Sequence, residues 1–383
     1  MVPGRPSETA HWRLGPVYLG RPIVTWGDPP HYLVMVNSLI EDGDLDLGNN
    51  YDQARDGDWD VGTRFRGTDL DRHIEIDRRG RALSFHPPWL PATLAALVYP
   101  LRGTEWVESA CIWLTLAATL TGLAWCFRLA GFTPGWIAAL ALATPLWTYA
   151  RDVGVEPLHA VAWIALLAFP HPVVLAVTSF AAVLLRPTFV IVPVALAAVL
   201  WVQGERRRAA ALVGATGLAL VVAVAGAQYE FRDAEHFDWL HFPGNHHLAR
   251  SFGFRTHVPG VVGLLLDPQD GLLAFCPFVV LGFTTLRKDA RLLIPALAYF
   301  GFIASYASWR AGSGMSARYL IPMLPVLVLA VARARPRGPF TWALVGYSAV
   351  VATIGGLLPV AVYDKTPVGI VRFLAPRIAA LFG

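Results

Sequence analysis

Apolar residues in this chain come in long runs, and the polar residues gather between the runs. A helix of roughly 20 apolar residues crosses the hydrocarbon of a bilayer, fewer where the membrane is thin. On that criterion about ten spanning helices are predicted, near 106–129, 133–150, 155–170, 172–186, 187–203, 209–227, 271–286, 290–307, 317–334 and 339–361. Several are short and bounded by proline. The Arg186-Pro187 junction fits either a loop between two short helices or a kink in one long helix. The stretch Pro87 to Leu101 is also apolar, but it is short and proline-rich. If it spanned, every later segment would invert, so it reads as an in-plane or re-entrant helix with His86 at its entrance.

An earlier short helix is predicted over residues 29–42. Asp28 stands where an N-cap belongs and Pro29 at the first helical position. Leu33, Val36 and Ile40 line one side and Gly43 stops the helix. That pattern suits an amphipathic helix lying flat at the membrane interface, with Asp28 held near lipid headgroups. Residues 48–84 are polar and show no clear period.

Composition excludes a water-soluble globule. Of the 383 residues, 55% are hydrophobic and 15% charged, against about a quarter charged in soluble domains. The mean hydropathy is +0.49. The net charge of +4 does not indicate nucleic acid, because the basic residues sit in short clusters between apolar runs. Gln203 to Arg208, Leu286 to Arg291 and Arg333 to Arg337 fall on one side, which the positive-inside rule makes cytoplasmic. The other side receives 1–105, 228–270 and 308–317, so the long polar segments are all external. The expected organisation is an external loop with juxtamembrane helices (1–105), a transmembrane helical domain (106–361) and a C-terminal external amphipathic tail (362–383). Residues 1–27 hold four prolines with scattered charge and cannot span. An external 1–105 therefore implies that a first transmembrane helix precedes this sequence. Cys111, Cys126 and Cys276 lie in apolar runs without paired spacing and read as buried thiols.

With these segments placed, a resemblance emerges. An external Asp after Gly, a short helix beginning Pro30-His31-Tyr32-Leu33 and a Glu41-Asp42-Gly43-Asp44-Leu45-Asp46-Leu47 run resemble the first external loop of GT-C glycosyltransferases. The bacterial relatives of protein O-mannosyltransferases and the lipid A aminoarabinose transferase are most similar. His86-Pro87-Pro88-Trp89 resembles the basic residue and Pro-Pro that open their second juxtamembrane helix. Thr144-Pro145 through Glu156-Pro157, Leu185-Arg186-Pro187-Thr188, Leu266-Asp267-Pro268 through Gly271-Leu272-Leu273 and Cys276-Pro277, and Trp309 through Arg318-Tyr319 and Pro325 follow in the family's order. The chain departs from the family in having Pro29 where many members have Glu, and His86 where many have Lys.

The resemblance implies an all-α GT-C-like membrane enzyme that moves one sugar, with inversion, from a polyprenyl-phosphate donor to a lipid, glycan or protein acceptor outside the bacterial cytoplasmic membrane. Inverting transfer needs a carboxylate to take the acceptor's proton and positive charge to hold the departing phosphate. The implied base is Asp28; without the resemblance it reads as a helix cap. His86 is a phosphate contact or a loop residue before Pro-Pro, and as a contact it would depend on imidazole protonation near neutral pH. Arg186, Arg310 and Arg318 are phosphate ligands or arginines snorkelling from helix ends, with Tyr319 beside Arg318. Glu156 is a sugar-hydroxyl ligand or half of a local ion pair with Arg151. Asp42, Asp44 and Asp46 read as solvated loop charges that leave a divalent cation open. The histidines at 236, 241, 246, 247 and 257 lack ligand spacing, and no metal is assigned. Two other classes remain: a non-catalytic subunit binding lipid-linked sugar, and a lipid or sugar transporter. The latter calls for mid-membrane charges and inverted repeats, which the runs do not show.

Overall fold

A computed structural model describes residues 28–56, 72–77, 79–84, 86–104, 106–129, 131–150, 153–231, 254–268, 271–306, 318–336 and 338–357. Arg151, Asp152, Asp270, Arg310, the tail 362–383 and the first four histidines of the His-rich loop lie outside these residues, as does the segment 1–27.

Helix α1 (Pro29–Glu41) starts without the expected side-chain cap. Asp28 has helical angles, φ −74° and ψ −28°, and its carboxylate makes no capping bond. The reason is local: Pro29 and Pro30 have no N–H to offer, and the Asp28 carbonyl accepts from His31 and Tyr32 at 3.0 and 3.2 Å. The carboxylate is left for other partners. Gly43, at φ +77°, ends the helix as expected, its N–H donating to the Ser38 carbonyl at 2.9 Å.

The amphipathic reading of α1 is corrected. Every residue from Pro29 to Ser38, and Ile40, is buried. The apolar side packs on α3 (Trp89–Val98), which a 3-10 turn extends through Tyr99–Leu101. The polar side meets α2 (Gly48–Asp56) and the residues flanking a small antiparallel hairpin, β1 (Ile74–Ile76) and β2 (Ala82–Ser84). The aspartates before α2 are ties as well as surface charges. Asp42 accepts from Asn49 and Asn50 at 3.1 and 2.8 Å. Asp46 accepts from the Ala82 N–H at 2.9 Å, fastening the hairpin to the loop. Tyr32, Leu33, Val36, Leu90, Leu94 and Val98 join Val107 and Cys111 in a core separate from the main one.

The main bundle begins with α4 (Val107–Leu129), then α5 (Pro134–Leu142), α6 (Leu146–Ala150), α7 (Val155–Ala168) and α8 (Pro172–Leu185). A 3-10 turn, Pro187–Val190, leads into α9 (Ile191–Val202), followed by α10 (Arg206–Phe231) and α11 (Phe254–Leu266). The short α12 (Leu272–Phe275), a 3-10 turn (Pro277–Gly282) and α13 (Phe283–Leu286) precede α14 (Ala290–Ala304). A 3-10 turn at Arg318–Met323 starts α15 (Leu324–Ala334), and α16 (Pro339–Leu357) closes the described chain.

Among the described residues two helices are long and apolar enough to span alone, Val107–Arg128 and Arg206–Gly226. The other predicted spans are shorter or interrupted, chiefly at Pro145, Pro187, Pro277 and Pro322. Helix α11 departs from the loop that the sequence predicts over 228–270. The Arg186-Pro187 junction is a break: Arg186 is extended (φ −156°, ψ 113°) between helix and 3-10 turn, as the residue before proline prefers. His159 donates from Nε2 to the Ala182 carbonyl behind the break, at 2.9 Å.

Much of the bundle's outer face is bare hydrocarbon. Trp125, Val177, Val202, Leu218 and Val221 are all more than half exposed, and only 22% of the Arg206–Gly226 window is buried. A soluble core helix would be covered, so lipid must cover these faces. The chain is a helical membrane protein.

The three arginine-rich segments meet at one end. Arg291 pairs with Glu205 and bonds Gln203, and Arg333 reaches Asp289 at 2.9 Å. Helices α9, α14 and α15 each run from this end to the opposite one, where Arg186, Tyr306 and Arg318 stand.

Candidate functional site

Four charged side chains interlock at that opposite end. Asp28 comes from the start of α1, Glu156 from the first turn of α7, Arg186 from the break after α8 and Arg318 from the turn before α15. Asp28 Oδ2 accepts from Arg318 at 2.7 Å and from Arg186 at 3.3 Å. Glu156 Oε1 accepts from Arg318 Nε at 2.8 Å and from Arg186 at 3.0 Å. Each guanidinium thus bridges both carboxylates, the forked geometry for which arginine is suited. Two positive and two negative charges cancel, which permits so much charge at low exposure.

The quartet has an inner and an outer half. Glu156 and Arg318 side chains are 3% and 8% exposed, Asp28 and Arg186 15% and 24%. Asp28 and Arg186 form the more open edge of the cluster. Glu156 is nearly covered, and its bonds hold the two arginines. Burial pushes the Asp28 carboxyl upward, but Arg318, His86 and Arg186 outweigh it and hold it well below the usual carboxylate range.

Tyr319 is fixed beside Arg186. The Arg186 guanidinium lies 5.8 Å from its ring centre, Tyr299 donates to its carbonyl at 2.8 Å, and Tyr306 meets its ring edge to face. His86 is buried next to Asp28. Burial lowers it to about 4 against the opposing pull of Asp28. The shift favours the neutral imidazole, so a phosphate contact by His86 would run through a neutral N–H and not through a charged ring.

Two features escaped the sequence reading. The Tyr32 hydroxyl is buried and bonds no described group, with its ring 5.2 Å from that of His86. Such a hydroxyl costs about 1–3 kcal/mol when left unmet. Its place one turn beyond Asp28 on α1 was the available signal. The second is a histidine cluster. His73 Nδ1 and His86 Nε2 are 2.9 Å apart, and His31 stacks on His73 at 3.6 Å.

The helical bundle, with the α1–α3 pair packed at the end that holds the acid–arginine cluster, has the GT-C fold. The solved structure of ArnT from Cupriavidus metallidurans bound to undecaprenyl phosphate aligns over 94% of this chain and 68% of its own, with TM-score 0.56 and 17% identity. No protein-family model matches the sequence, and no curated protein matches it.

Proposed function

We propose that this protein is a glycosyltransferase that takes one sugar from a polyprenyl-phosphate carrier and transfers it, with inversion, to an acceptor at the outer face of the bacterial cytoplasmic membrane. The observation that carries the proposal is the quartet: a carboxylate and a guanidinium, side by side at the half-open edge of a buried charge cluster, at the end of the bundle away from the arginine-rich loops. The likeness of fold to a protein solved with undecaprenyl phosphate supports a lipid-phosphate ligand, and the positive-inside rule supports the orientation. In the domain organisation we propose, residues 28–104 cover the site and the helices from α4 onward form the membrane body.

The roles follow from charge. The donor phosphate enters over Arg186 and Arg318, and a phosphate oxygen replaces Asp28 Oδ2 as their acceptor. Released from its guanidiniums, Asp28 becomes a stronger base. It takes the proton of the acceptor hydroxyl while that oxygen attacks the anomeric carbon from the face opposite the phosphate. The carbon–phosphate oxygen bond breaks, and the phosphate leaves on the arginines without needing a proton. Glu156 keeps both arginines oriented when Asp28 lets go. Tyr32 and Tyr319 offer hydroxyls to sugar or phosphate oxygens. The same charge arrangement would serve a non-catalytic binding subunit, which a transfer assay separates.

Native mass spectrometry of the detergent-purified chain with undecaprenyl phosphate tests the phosphate half. One lipid per chain is expected, with binding weakened at least about tenfold by Arg186→Gln. Equal binding by wild type and Arg186→Gln would remove the phosphate assignment.

A further inference from the structure

The hairpin carries two imidazoles that the transfer chemistry leaves unused as ligands. His73 directly precedes β1, and His86 follows β2 by two residues. The register that sets Ile74 opposite Ser84 brings the two ends of the hairpin together. Asp77 locks the turn, accepting from the N–H groups of Arg79 and Arg81, both at 2.9 Å. The hairpin delivers the imidazoles to the edge of the quartet. One ligand atom each from Asp28, His73 and His86 lies within 4.8 Å of the others.

We propose that Asp28, His73 and His86 form a binding site for a borderline divalent cation of the zinc and manganese class. Two imidazole nitrogens and one carboxylate oxygen are the donor set such ions prefer, whereas magnesium and calcium favour oxygen alone. Bonds of about 2.0–2.2 Å would draw Asp28 inward and part the two nitrogens slightly from their 2.9 Å contact, within reach of side-chain rotation in the hairpin loop. The contact between His73 and His86 places both nitrogens at one point, where a cation substitutes for a shared proton. Behind them stands a supporting layer: His31 stacks on His73, and Tyr51 Oη lies 2.6 Å from His31 Nδ1. Such outer partners orient metal-binding imidazoles. Asp28 can hold the ion through one oxygen and leave the other, once the arginines turn to the phosphate, to take the acceptor proton, because a carboxylate has about four lone-pair positions.

Three protein ligands leave coordination positions for oxygens of a second molecule. The charge sum gives the ion a purpose, and this part rests on the proposed function. The quartet is neutral by itself, so an arriving lipid phosphate makes the buried site negative. A dication between Asp28 and the hairpin outweighs the single charge of the donor diester and matches the second charge that develops on the phosphate as it leaves.

The test is zinc binding by the full chain, purified in detergent without a histidine tag and stripped with chelator. Calorimetry and elemental analysis should give one zinc per chain, not displaced by millimolar magnesium. The paired change His73→Ala with His86→Ala should remove that equivalent, and Tyr51→Phe should weaken it by about tenfold through His31. Changing His246 and His247 to Ala should leave it intact. Retention of the equivalent by the His73→Ala, His86→Ala protein, or none in the wild type, overturns the site. Undecaprenyl phosphate binding is measured on the same preparations. Zinc bound without lipid would sink the functional reading and keep the metal site, and lipid bound without zinc would do the reverse.

Discussion

At the residue scale, the chemistry is decided by what each polar side chain is already holding. Asp28 holds two arginines, and Tyr32 holds nothing among the described residues. Replacing Tyr32 by Phe should therefore cost little stability, or add some, because the hydroxyl loses no bond. Thermal unfolding should show a midpoint equal to or above wild type, while donor KM rises by about three- to tenfold. A lowered midpoint with unchanged KM would make Tyr32 a packing residue. The pH response follows in the same way. A carboxyl held below its ordinary range is ionised above that range, so Asp28 is already a base throughout the neutral region. His86, lowered to about 4, is neutral there and has no charge to lose as pH rises. Donor binding should change less than about twofold between about pH 6 and 8. A tenfold fall toward pH 8 would show a charged His86.

Asp28 was legible in the sequence because Gly27, Pro29 and the helix after it mark its place. Its partners were not. Arg186 and Arg318 lie 158 and 290 residues away in sequence, and no local pattern tells which helix ends converge. For the same reason the sequence leaves Arg186 and Arg318 open between phosphate ligand and snorkelling arginine, and the ion pairs they make with Asp28 and Glu156 were not legible in it. His73 was passed over because it sits in a polar stretch without period, and only the hairpin register brings it to His86.

At the scale of elements, proline decided where runs became helices. The apolar runs marked the bundle's residues well, but a run says nothing about hydrogen bonds lost at Pro145, Pro187, Pro277 or Pro322. Helix α11 was missed because it begins with Phe254-Arg255-Thr256-His257, polar enough to read as loop, and contains Pro259. It packs on α14 through a glycine. A Cβ on Gly260 would stand 1.9 Å from the Ala304 carbonyl oxygen, a backbone atom that cannot step aside. Gly260→Ala should therefore destabilise the chain by about 1–3 kcal/mol. Gly301→Ala, also on this helix pair but with nothing within 4 Å, should be neutral. Unfolding midpoints in one detergent compare them directly, and equal midpoints would show that α11 does not pack as described. Gly271 is constrained similarly, since a Cβ there would meet Asp267 backbone atoms at 2.5 Å. That explains the Asp-x-x-x-Gly spacing noted in the sequence.

At the scale of the molecule, composition points to the membrane and the fold separates two unlike ends. Two ends differ: one gathers the arginine-rich loops, the other the quartet under α1 and α3. Cys111, Cys126 and Cys276 are buried free thiols, so single introduced cysteines can report orientation. A cysteine at Arg79, exposed on the hairpin turn, should react with an impermeant maleimide in intact spheroplasts. One at Gln203 should react only after permeabilisation. The opposite pattern would invert the protein and place the site in the cytoplasm.

Sugar transfer through Asp28 is tested most directly in the cell. Envelope glycans of a deletion strain, profiled by mass spectrometry, should lack one sugar mass that returns with the wild-type gene. With Asp28→Asn at equal membrane abundance that mass should stay at or below about one hundredth of wild type. Full restoration by Asp28→Asn would contradict the transferase reading and leave a protein that binds a lipid phosphate without catalysing its transfer.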